Sequence, residues 1–506
     1  MRVSVVTPPV RDLYFTPGRN SALGMHTVSS ILSRMGETVS VFNCPKEKPG
    51  GFLIPPLKET EHLKPFLIQG ERGPVSFFTG YRQFGPSFEE CAAKIAAAEP
   101  DVILISCFAY AYAEDTVELV KSLRKTGCTA LIGAGGGGVS VFPRYFLASG
   151  IDFAVTGESE RVIAPLLKEL RKTDPDFPTV PNCYTSTHQG PHQGTVPPAV
   201  YFKADSSDLE FIWSMTGETK KTRYISTSLS RGCPRRCRFC SNFLTHGREF
   251  RKVSLDKISK GITQIPTDKH TVINFEDDNL SFDPEYLFEV LNIFTAHIPK
   301  LSFMAENGMD YSFLDSTMVK TLAKAGFRQL NLSLGTLSTA GAESEHRHLS
   351  LSKYESVLEA AEKSEIAAIT YFISGLEKDS PEASVAALRY LHNLPTLTGI
   401  SPFYPVPGLP GFTDKKLFWA HSPSLCRGAS FYPWNGTLST AQLVTAFRLS
   451  RFSNLKKKGG RSDTECKLME QSETEHRLYT IVKKNKGNRI LPVPRMDTSM
   501  MEMFFK

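Results

Sequence analysis

The chain has 506 residues, a length that accommodates about three domains with sizeable buried cores. Charged residues make up 22% and hydrophobic residues 41%, which is ordinary for a globular protein and excludes a disordered one. The net charge of +7 is mild, and no apolar run approaches the ~20 residues that span a bilayer, so neither nucleic acid nor a membrane is expected as a partner.

The amino end, residues 1–9, is typical of a short strand that runs into a proline turn, and it lacks a signal-peptide pattern. The expected location is therefore the cytoplasm. In that reducing compartment the 10 cysteines are not expected to form disulfides. Three of them are clustered, and the other seven are expected to be buried small side chains: Cys44, Cys91, Cys107, Cys128, Cys183, Cys426 and Cys466.

The first 180 residues alternate between strand and helix patterns in the manner of a parallel sheet. This part is expected to be an α/β domain of the Rossmann-like, doubly wound type, which binds ligands at the carboxyl ends of its strands. The predicted strands are Arg2–Val6, Thr38–Phe42, Asp101–Cys107, Thr129–Ile132 and Phe153–Val155. The predicted helices are Thr27–Met35, Phe88–Ala98, Glu114–Thr126 and Ser159–Lys172.

A stretch rich in proline, histidine and threonine interrupts this pattern, and residues 181–222 are predicted to be a linker. Strand and helix patterns then alternate again over residues 223–410, which predicts a partial (β/α)6 barrel of the TIM type. Its predicted strands are Ile225–Leu229, Thr271–Phe275, Leu301–Ala305, Gln329–Leu334, Ala367–Ile373 and Gly399–Phe403. Residues 411–506 are expected to form a mostly helical region that faces the substrate or caps the barrel.

The clustered thiols are Cys233, Cys237 and Cys240, just after the first predicted barrel strand. Three thiolates on one short loop can bind a single soft metal centre. A structural zinc site needs four ligands, and His246 is the candidate for the fourth. A 4Fe-4S cluster held by only three cysteines keeps one iron open for a substrate or cofactor.

This loop resembles that of the radical S-adenosylmethionine enzymes, whose hallmark is three cysteines with an aromatic residue, here Phe239, before the last. The resemblance implies that Cys233, Cys237 and Cys240 hold a 4Fe-4S cluster. It also implies that the cluster binds S-adenosylmethionine and cleaves it to a 5′-deoxyadenosyl radical.

The same resemblance implies contacts to S-adenosylmethionine from the ends of later strands. Two segments carry it, Ile273–Asn279 at the second strand and Ala368–Leu376 at the fifth. Two alternatives stay open: residues 277–279 are also typical of a turn or helix cap, and Arg347 could lie on an exposed helix face. The implied contact residues are Phe239, Glu276, Asp277, Ser333, Arg347, Ser374 and Gly375.

The glycine run at 133–138 formally matches a dinucleotide-binding pattern, but the residues after it are not predicted to open a helix directly. The alternative is a tight turn. The first domain as a whole is similar to the cobalamin-binding domain that precedes the barrel in one branch of the same enzymes. The residues that this implies as cobalamin contacts are Thr7, Pro8, Ser106, Cys107, Phe108, Gly133, Gly135, Gly136, Gly137, Gly157 and Glu158. For Cys107 the alternative is a buried packing role.

Together these resemblances imply a cobalamin-dependent radical enzyme, a methyltransferase that acts on an unactivated carbon of a small molecule. An electron donor such as flavodoxin or ferredoxin is implied as a partner. Two alternatives remain open. One is a radical enzyme of the same architecture that catalyses cyclisation, oxidation or rearrangement, and the other is a non-catalytic protein that holds zinc or a cluster.

Overall fold

The computed structural model describes residues 1–16, 20–78, 80–186, 203–484 and 487–506. The predicted linker at residues 181–222 therefore lies partly outside the described residues, over 187–202. Elsewhere the chain forms two regions built on parallel sheets, followed by a mostly helical carboxy-terminal region. This arrangement confirms the predicted fold class.

The amino-terminal region alternates strands and helices in the predicted order. Its strands are β1 (Arg2–Thr7), β2 (Val10–Asp12), β3 (Thr38–Asn43), β4 (Phe52–Leu53), β5 (Glu71–Arg72), β6 (Arg82–Phe84), β7 (Val102–Ser106), β8 (Leu131–Gly135), β9 (Phe153–Val155) and β10 (Cys183–Tyr184). Its helices are α1 (Leu23–Arg34), α2 (Cys44–Glu47), α3 (Phe88–Ala96), α4 (Ala113–Lys125), α5 (Gly137–Val141), α6 (Pro143–Leu147) and α7 (Ile163–Leu170).

The main sheet of this region has the strand order β10-β9-β8-β7-β1-β3. All its neighbours pair in parallel except β10, which is antiparallel to β9. The chain passes from β1 to β3 on one side and then crosses to β7 on the other. In such doubly wound sheets, ligands bind outside the carboxyl ends at this switch point, here between β1 and β7.

The second parallel region contains the six predicted barrel strands and several short additions. Its strands are β11 (Trp213–Glu218), β12 (Thr222–Thr227), β13 (Ser230–Arg231), β14 (Arg251–Lys252), β15 (His270–Phe275), β16 (Leu301–Met304), β17 (Gln329–Gly335), β18 (Ala367–Ser374) and β19 (Leu397–Pro402). Its helices are α8 (Phe243–His246), α9 (Leu255–Ile262), α10 (Pro284–His297), α11 (Ser316–Ala325), α12 (Thr339–Ser344), α13 (Leu351–Lys363) and α14 (Pro381–His392).

The six barrel strands form two parallel groups, β12-β15-β16 and β17-β18-β19. Isolated parallel bridges, Phe303 to Phe327 and Met309 to Leu332, connect the groups. The rings of Phe275, Phe303 and Phe327 pack on one another beneath this junction. These strands therefore curve around one apolar core as an open, partial barrel.

Local sequence sets where the barrel helices begin. The side chains of Ser254, Asp315, Ser350 and Ser380 each accept a hydrogen bond from a backbone N–H in the first turn of α9, α11, α13 and α14, respectively. Such caps satisfy backbone donors that have no partner inside the helix.

The carboxy-terminal region contacts both the amino-terminal region and the barrel. It contains α15 (Lys415–Ala420), α16 (Thr440–Lys458), α17 (Asp463–Thr474), β20 (Tyr479–Lys484), β21 (Gly487–Pro492) and α18 (Thr498–Phe505). The β20–β21 hairpin pairs with β5 of the first region, whereas α16 packs on β19 and α14 of the barrel. Among the described residues, no helix is long and apolar enough to cross a membrane.

One fully buried ion pair anchors this region. Arg448 of α16 and Glu71 of β5 are both 0% exposed, with Nη1–Oε1 and Nη2–Oε2 distances of 2.6 and 3.0 Å. Arg448 also donates to the carbonyl oxygen of Val75. Because neither charge reaches water, each depends on the other for stabilisation.

Replacing Arg448 with alanine should lower the free energy of unfolding by roughly 3–5 kcal/mol, because the Glu71 carboxylate is left buried and unpaired. The measurement is chemical denaturation of purified protein. Lys458→Ala, an exposed change on the same helix, is the control and should cost less than about 0.5 kcal/mol. Equal losses in the two variants would contradict the anchoring role.

Candidate functional site

The three clustered cysteines lie on the loop between β13 and α8. Cys233, Cys237 and Cys240 all line one cavity of about 230 Å³ near the carboxyl ends of the barrel strands. Gly232 precedes them with a φ of +82°, and a Cβ atom there would lie 2.1 Å from the carbonyl oxygen of Glu249. Only glycine fits that conformation and space, so the path of the loop requires glycine at this position.

Polar groups surround the thiols in this cysteine cavity. Asn279 Nδ2 lies 3.6 Å from the Sγ of Cys233, and Arg347 Nη1 lies 3.8 Å from the Sγ of Cys237. Burial raises the pKa of the Cys240 thiol to about 12 and also raises the pKa of Cys233. A bound metal centre would have to displace these protons, as thiolate ligation requires.

A buried carboxylate holds two arginines at the cavity wall. Asp310 Oδ2 accepts a hydrogen bond from Arg235 Nε at 3.0 Å and lies 3.4 Å from Arg347 Nη1. Arg347 also donates to the carbonyl oxygen of Ser333. Its Nε atom is buried and has no hydrogen-bond partner among the described residues. The cavity therefore offers positive charge and a spare donor to an anionic occupant.

The donor set of this cavity is three thiols on one loop, the set that a 4Fe-4S cluster with one open iron would use. Within the described ranges, no group of three or more His, Cys, Asp or Glu side chains is arranged to hold one ion. In a 4Fe-4S cluster each thiolate binds a different iron, so the sulfur atoms stand apart. His246 is bonded elsewhere, with its Nδ1 3.0 Å from Glu158 Oε1, and it lines a different cavity. His246 is therefore not placed with the three cysteines as a fourth ligand.

Of the expected S-adenosylmethionine contacts, Phe239, Ser333 and Arg347 line the cysteine cavity. The Arg347 side chain is only 8% exposed, so the alternative of an exposed helix-face arginine is wrong. Glu276 instead lines a second, larger cavity, where its Oε2 accepts a hydrogen bond of 2.7 Å from Ser21. Burial raises the pKa of Glu276.

The structure places the other three expected contacts outside the lining of both cavities. Asp277 is buried and accepts hydrogen bonds from Leu229 N–H and the Ser230 hydroxyl, which fix the start of the cysteine loop. Ser374 is fully buried. The N–H of Gly375 donates to Asp379 Oδ2 at 2.7 Å.

The larger cavity, of about 810 Å³, lies where the carboxyl ends of both parallel sheets face each other. Its lining combines the loops after β7, β8 and β9 with residues from the barrel and from the carboxy-terminal region. Eight of the expected cobalamin contacts line it: Ser106, Phe108, Gly133, Gly135, Gly136, Gly137, Gly157 and Glu158.

Three expected cobalamin contacts are not among the lining residues. Thr7 and Pro8 are buried at the end of β1. Cys107 is 1% exposed and its Sγ donates to the carbonyl oxygen of Ala109. A Cβ atom at Gly138 would lie 2.6 Å from this sulfur, so Cys107 packs under the glycine run. The buried packing alternative describes its position.

The glycine run allows two loops to approach closely at the cavity rim. Gly136 has a φ of +100°, and a Cβ atom there would lie 2.7 Å from the carbonyl oxygen of Cys107. A helix that the sequence pattern did not predict, the five-residue α5, begins within the run at Gly137. The absence of side chains at this rim would let a large ligand approach the backbone.

The two cavities share a wall formed by Asn242 and Asp278. Asp278 Oδ1 accepts a hydrogen bond of 2.9 Å from Asn242 Nδ2, and its Oδ2 accepts one of 2.8 Å from Gly232 N–H. One carboxylate therefore bonds to both sides of the cysteine loop. Groups bound in the two cavities would be separated only by this thin wall.

Glu158, at the rim of the larger cavity, is bonded to the barrel. Its carboxylate binds Arg251 at 2.6 and 2.8 Å and lies 3.0 Å from His246 Nδ1. Burial alone would raise the pKa of Glu158, but the hydrogen bonds from His246 and Arg251 outweigh it and lower the pKa to about 2. Glu158 is therefore ionised under ordinary conditions.

Sequence reasoning missed both residues of the shared wall. Asp278 could have been found, because it lies in the segment Ile273–Asn279, in which Glu276 and Asp277 were already expected to contact a ligand. Asp310 and Asn242 carry no such signal, since each reaches the site from a loop or a short helix. Tertiary structure alone places them there.

Comparison with known families places two models on the chain. The B12 binding domain matches residues 78–167, and the Radical SAM superfamily matches residues 227–391. The first match contains the glycine run, and the second contains the three clustered cysteines.

Two curated proteins are similar to the chain. Bacteriochlorophyllide d C-12(1)-methyltransferase of Chlorobaculum tepidum is 26% identical over 218 residues, which cover 41% of this chain and 46% of that protein. Hopanoid C-3 methylase of Methylococcus capsulatus is 23% identical over 319 residues, which cover 61% of this chain and 59% of that protein. The chain thus spans about half the length of the curated relatives it matches.

Among solved structures, the fold is similar to that of the radical S-adenosylmethionine methyltransferase TsrM from Kitasatospora setae, determined with cobalamin and a 4Fe-4S cluster bound. The TM-score is 0.59 at 14% sequence identity, and the match covers 81% of this chain and 76% of TsrM. This similarity in fold supports an architecture in which a domain with a parallel sheet precedes a partial barrel of parallel strands.

Replacing Glu158 with glutamine should lower the free energy of unfolding at pH 7 by about 3 kcal/mol, the equivalent of a pKa lowered from 4.5 to about 2. The stabilisation is fully present above pH 4.5 and is lost as the pH falls through about 2. Thermal unfolding from pH 7 to pH 3 should therefore show the two proteins converging in acid. A gap that stays constant with pH would contradict the ionised pair.

Proposed function

The chain belongs to the radical S-adenosylmethionine superfamily and carries an amino-terminal B12-binding domain, and from this we propose that it is a cobalamin-dependent methyltransferase acting on an unactivated carbon of a small molecule. The family matches confirm the resemblance in the sequence, and with it the 4Fe-4S cluster, S-adenosylmethionine and cobalamin as cofactors.

The observation that carries the proposal is the wall that the two cavities share. A methyl donor in the larger cavity and a radical source in the cysteine cavity must both reach one substrate atom. Asn242 and Asp278 line both cavities, so the two cofactors would face each other across the width of two side chains. Two distant pockets would not support methyl transfer.

Bound in these cavities, the cluster would supply the electron that cleaves S-adenosylmethionine, and cobalamin would supply the methyl group. Cys233, Cys237 and Cys240 would hold the cluster. Arg347 and Ser333 would bind the polar groups of S-adenosylmethionine, and the backbone at Gly135–Gly137 would lie against cobalamin. The aromatic side chains Phe108 and Tyr404 would exclude water from the larger cavity.

We also propose the domain limits 1–180, 181–222, 223–410 and 411–506, supported by family matches that fall inside the first and third. Within 181–222, β10 extends the sheet of the first domain and β11 pairs with the first barrel strand, so the ends of this segment belong to its neighbours. An electron donor such as flavodoxin or ferredoxin would reduce the cluster in the cytoplasm. The likeness of the two curated relatives, each named as a methylating enzyme, supports methyl transfer over the other radical reactions.

The direct test is anaerobic reconstitution with iron, sulfide and hydroxocobalamin, followed by incubation with S-adenosylmethionine and a reductant. We expect bound corrinoid, 5′-deoxyadenosine and S-adenosylhomocysteine. Zinc bound at one per chain in place of iron would overturn the radical mechanism. 5′-Deoxyadenosine without corrinoid or S-adenosylhomocysteine would overturn methyl transfer and favour another radical reaction.

Replacing all three clustered cysteines with alanine should abolish iron binding and 5′-deoxyadenosine formation, because the cavity then holds no thiolate ligand. Iron analysis and chromatography of the products measure both. The expectation that Cys466 is buried is wrong, since it is exposed on α17. Cys466→Ala is therefore the matched control and should retain wild-type iron content. Loss of iron in the control would show that the assay reports general damage.

Gly136→Ala should reduce corrinoid binding at least tenfold and leave the iron content unchanged, because the added Cβ atom would push the glycine run from the carbonyl oxygen of Cys107. Titration with hydroxocobalamin measures the affinity. Gly127→Ala is the control, since Gly127 has a similar φ of +81° but no atom within 4 Å of the added Cβ. Equal affinities in the two variants would contradict the placement of the corrinoid.

A further inference from the structure

The Glu158 carboxylate joins the two parallel domains. It follows β9 of the first domain, and its side chain is 1% exposed. Oε2 accepts from Ala204 N–H and Arg251 Nη1 at 2.8 and 2.6 Å, and Oε1 accepts from Arg251 Nη2 at 2.8 Å. His246 Nδ1 lies 3.0 Å from Oε1. A carboxylate has about four acceptor positions, so protein groups use all of them.

Glu158 and Glu160 lie on one loop after β9, and the residues that they bind flank the three clustered cysteines on both sides. Arg231, two residues before Cys233, lies 2.6 Å from the carboxylate of Glu160, which is 4% exposed. Arg251 pairs directly with Arg231 across the β13–β14 ladder. His246 ends α8, the helix that follows Cys240. The loop of the first domain that carries Glu158 and Glu160 therefore binds residues at both ends of the cysteine loop.

We propose that Glu158 is a positioning residue for the iron–sulfur cluster, supplied by the B12-binding domain and assisted by Glu160. Its acceptor positions are filled by protein donors, so we assign it the role of placing the cysteine loop. The role depends on the cluster alone and holds whether or not the enzyme transfers a methyl group.

The proposal has an electrostatic consequence at the cluster. Arg231 and Arg251 lie beside the cysteine loop, and the two glutamates balance their charge. Removing the charge of Glu158 leaves excess positive charge near the cluster, which stabilises the more negative, reduced form. The reduction potential should then rise, and the changed ligand geometry should alter the electron paramagnetic resonance spectrum.

The test compares Glu158→Gln with the wild type, both carrying a reconstituted cluster and no corrinoid. We expect a higher reduction potential and an altered spectrum of the reduced cluster with S-adenosylmethionine bound. The matched control is Glu71→Gln, because Glu71 is equally buried and paired with an arginine but lines neither cavity. Glu71→Gln should destabilise the protein and leave the potential and spectrum unchanged.

Glu160→Gln is a second, milder variant, since it releases Arg231 and leaves the Glu158–Arg251 pair intact. We expect a smaller shift of the potential in the same direction. Wild-type potential and spectrum in both cluster-loaded variants would overturn the proposal, as would equal shifts in Glu71→Gln. These measurements use protein without corrinoid, so they do not depend on the proposed methyl transfer. Failure of that proposal would appear in a separate experiment, as a wild-type protein that does not bind hydroxocobalamin.

Discussion

Both candidate cofactor cavities exist because two parallel sheets present the carboxyl ends of their strands to one another. In a parallel sheet all strands end on the same edge, so the loops after β7, β8 and β9 gather on one side of the first domain. The barrel strands do the same on their side. The larger cavity is the space between the two edges, and the cysteine loop forms part of its far wall.

Buried charged groups stabilise the contact between the two domains. Bringing Glu158 and Arg251 out of water costs free energy that only paired and hydrogen-bonded geometry offsets. The Glu158 carboxylate is therefore bonded to groups on the opposing domain. This bonding makes the cysteine loop a shared part of two domains, which suits chemistry that needs two cofactors in fixed relation.

Many elements of the fold follow from local patterns. Continuous apolar runs such as Val102–Ser106 predict buried parallel strands. The helices predicted at Phe88–Ala98 and Glu114–Thr126 match α3 and α4 closely. The β20–β21 hairpin was not predicted, because its pairing with β5 joins segments about 400 residues apart. Lys457 lies in a run of three lysines with no local sign of burial, yet its ammonium group donates to three carbonyl groups near the end of α14.

The sequence by itself indicated the proposed cluster chemistry, because three cysteines at short spacing with an aromatic neighbour place the proposed cluster ligands on one loop whatever surrounds them. It also determined the glycine-rich rim, since only glycine tolerates the backbone of Gly136. Only the tertiary structure decided which polar groups meet the ligands. Glu276 lines the larger cavity, Asp277 is buried against the start of the cysteine loop, and Asp278 lines both cavities. The chain bends shortly after β15, so packing and not strand alternation decides which of the three carboxylates reaches a cavity.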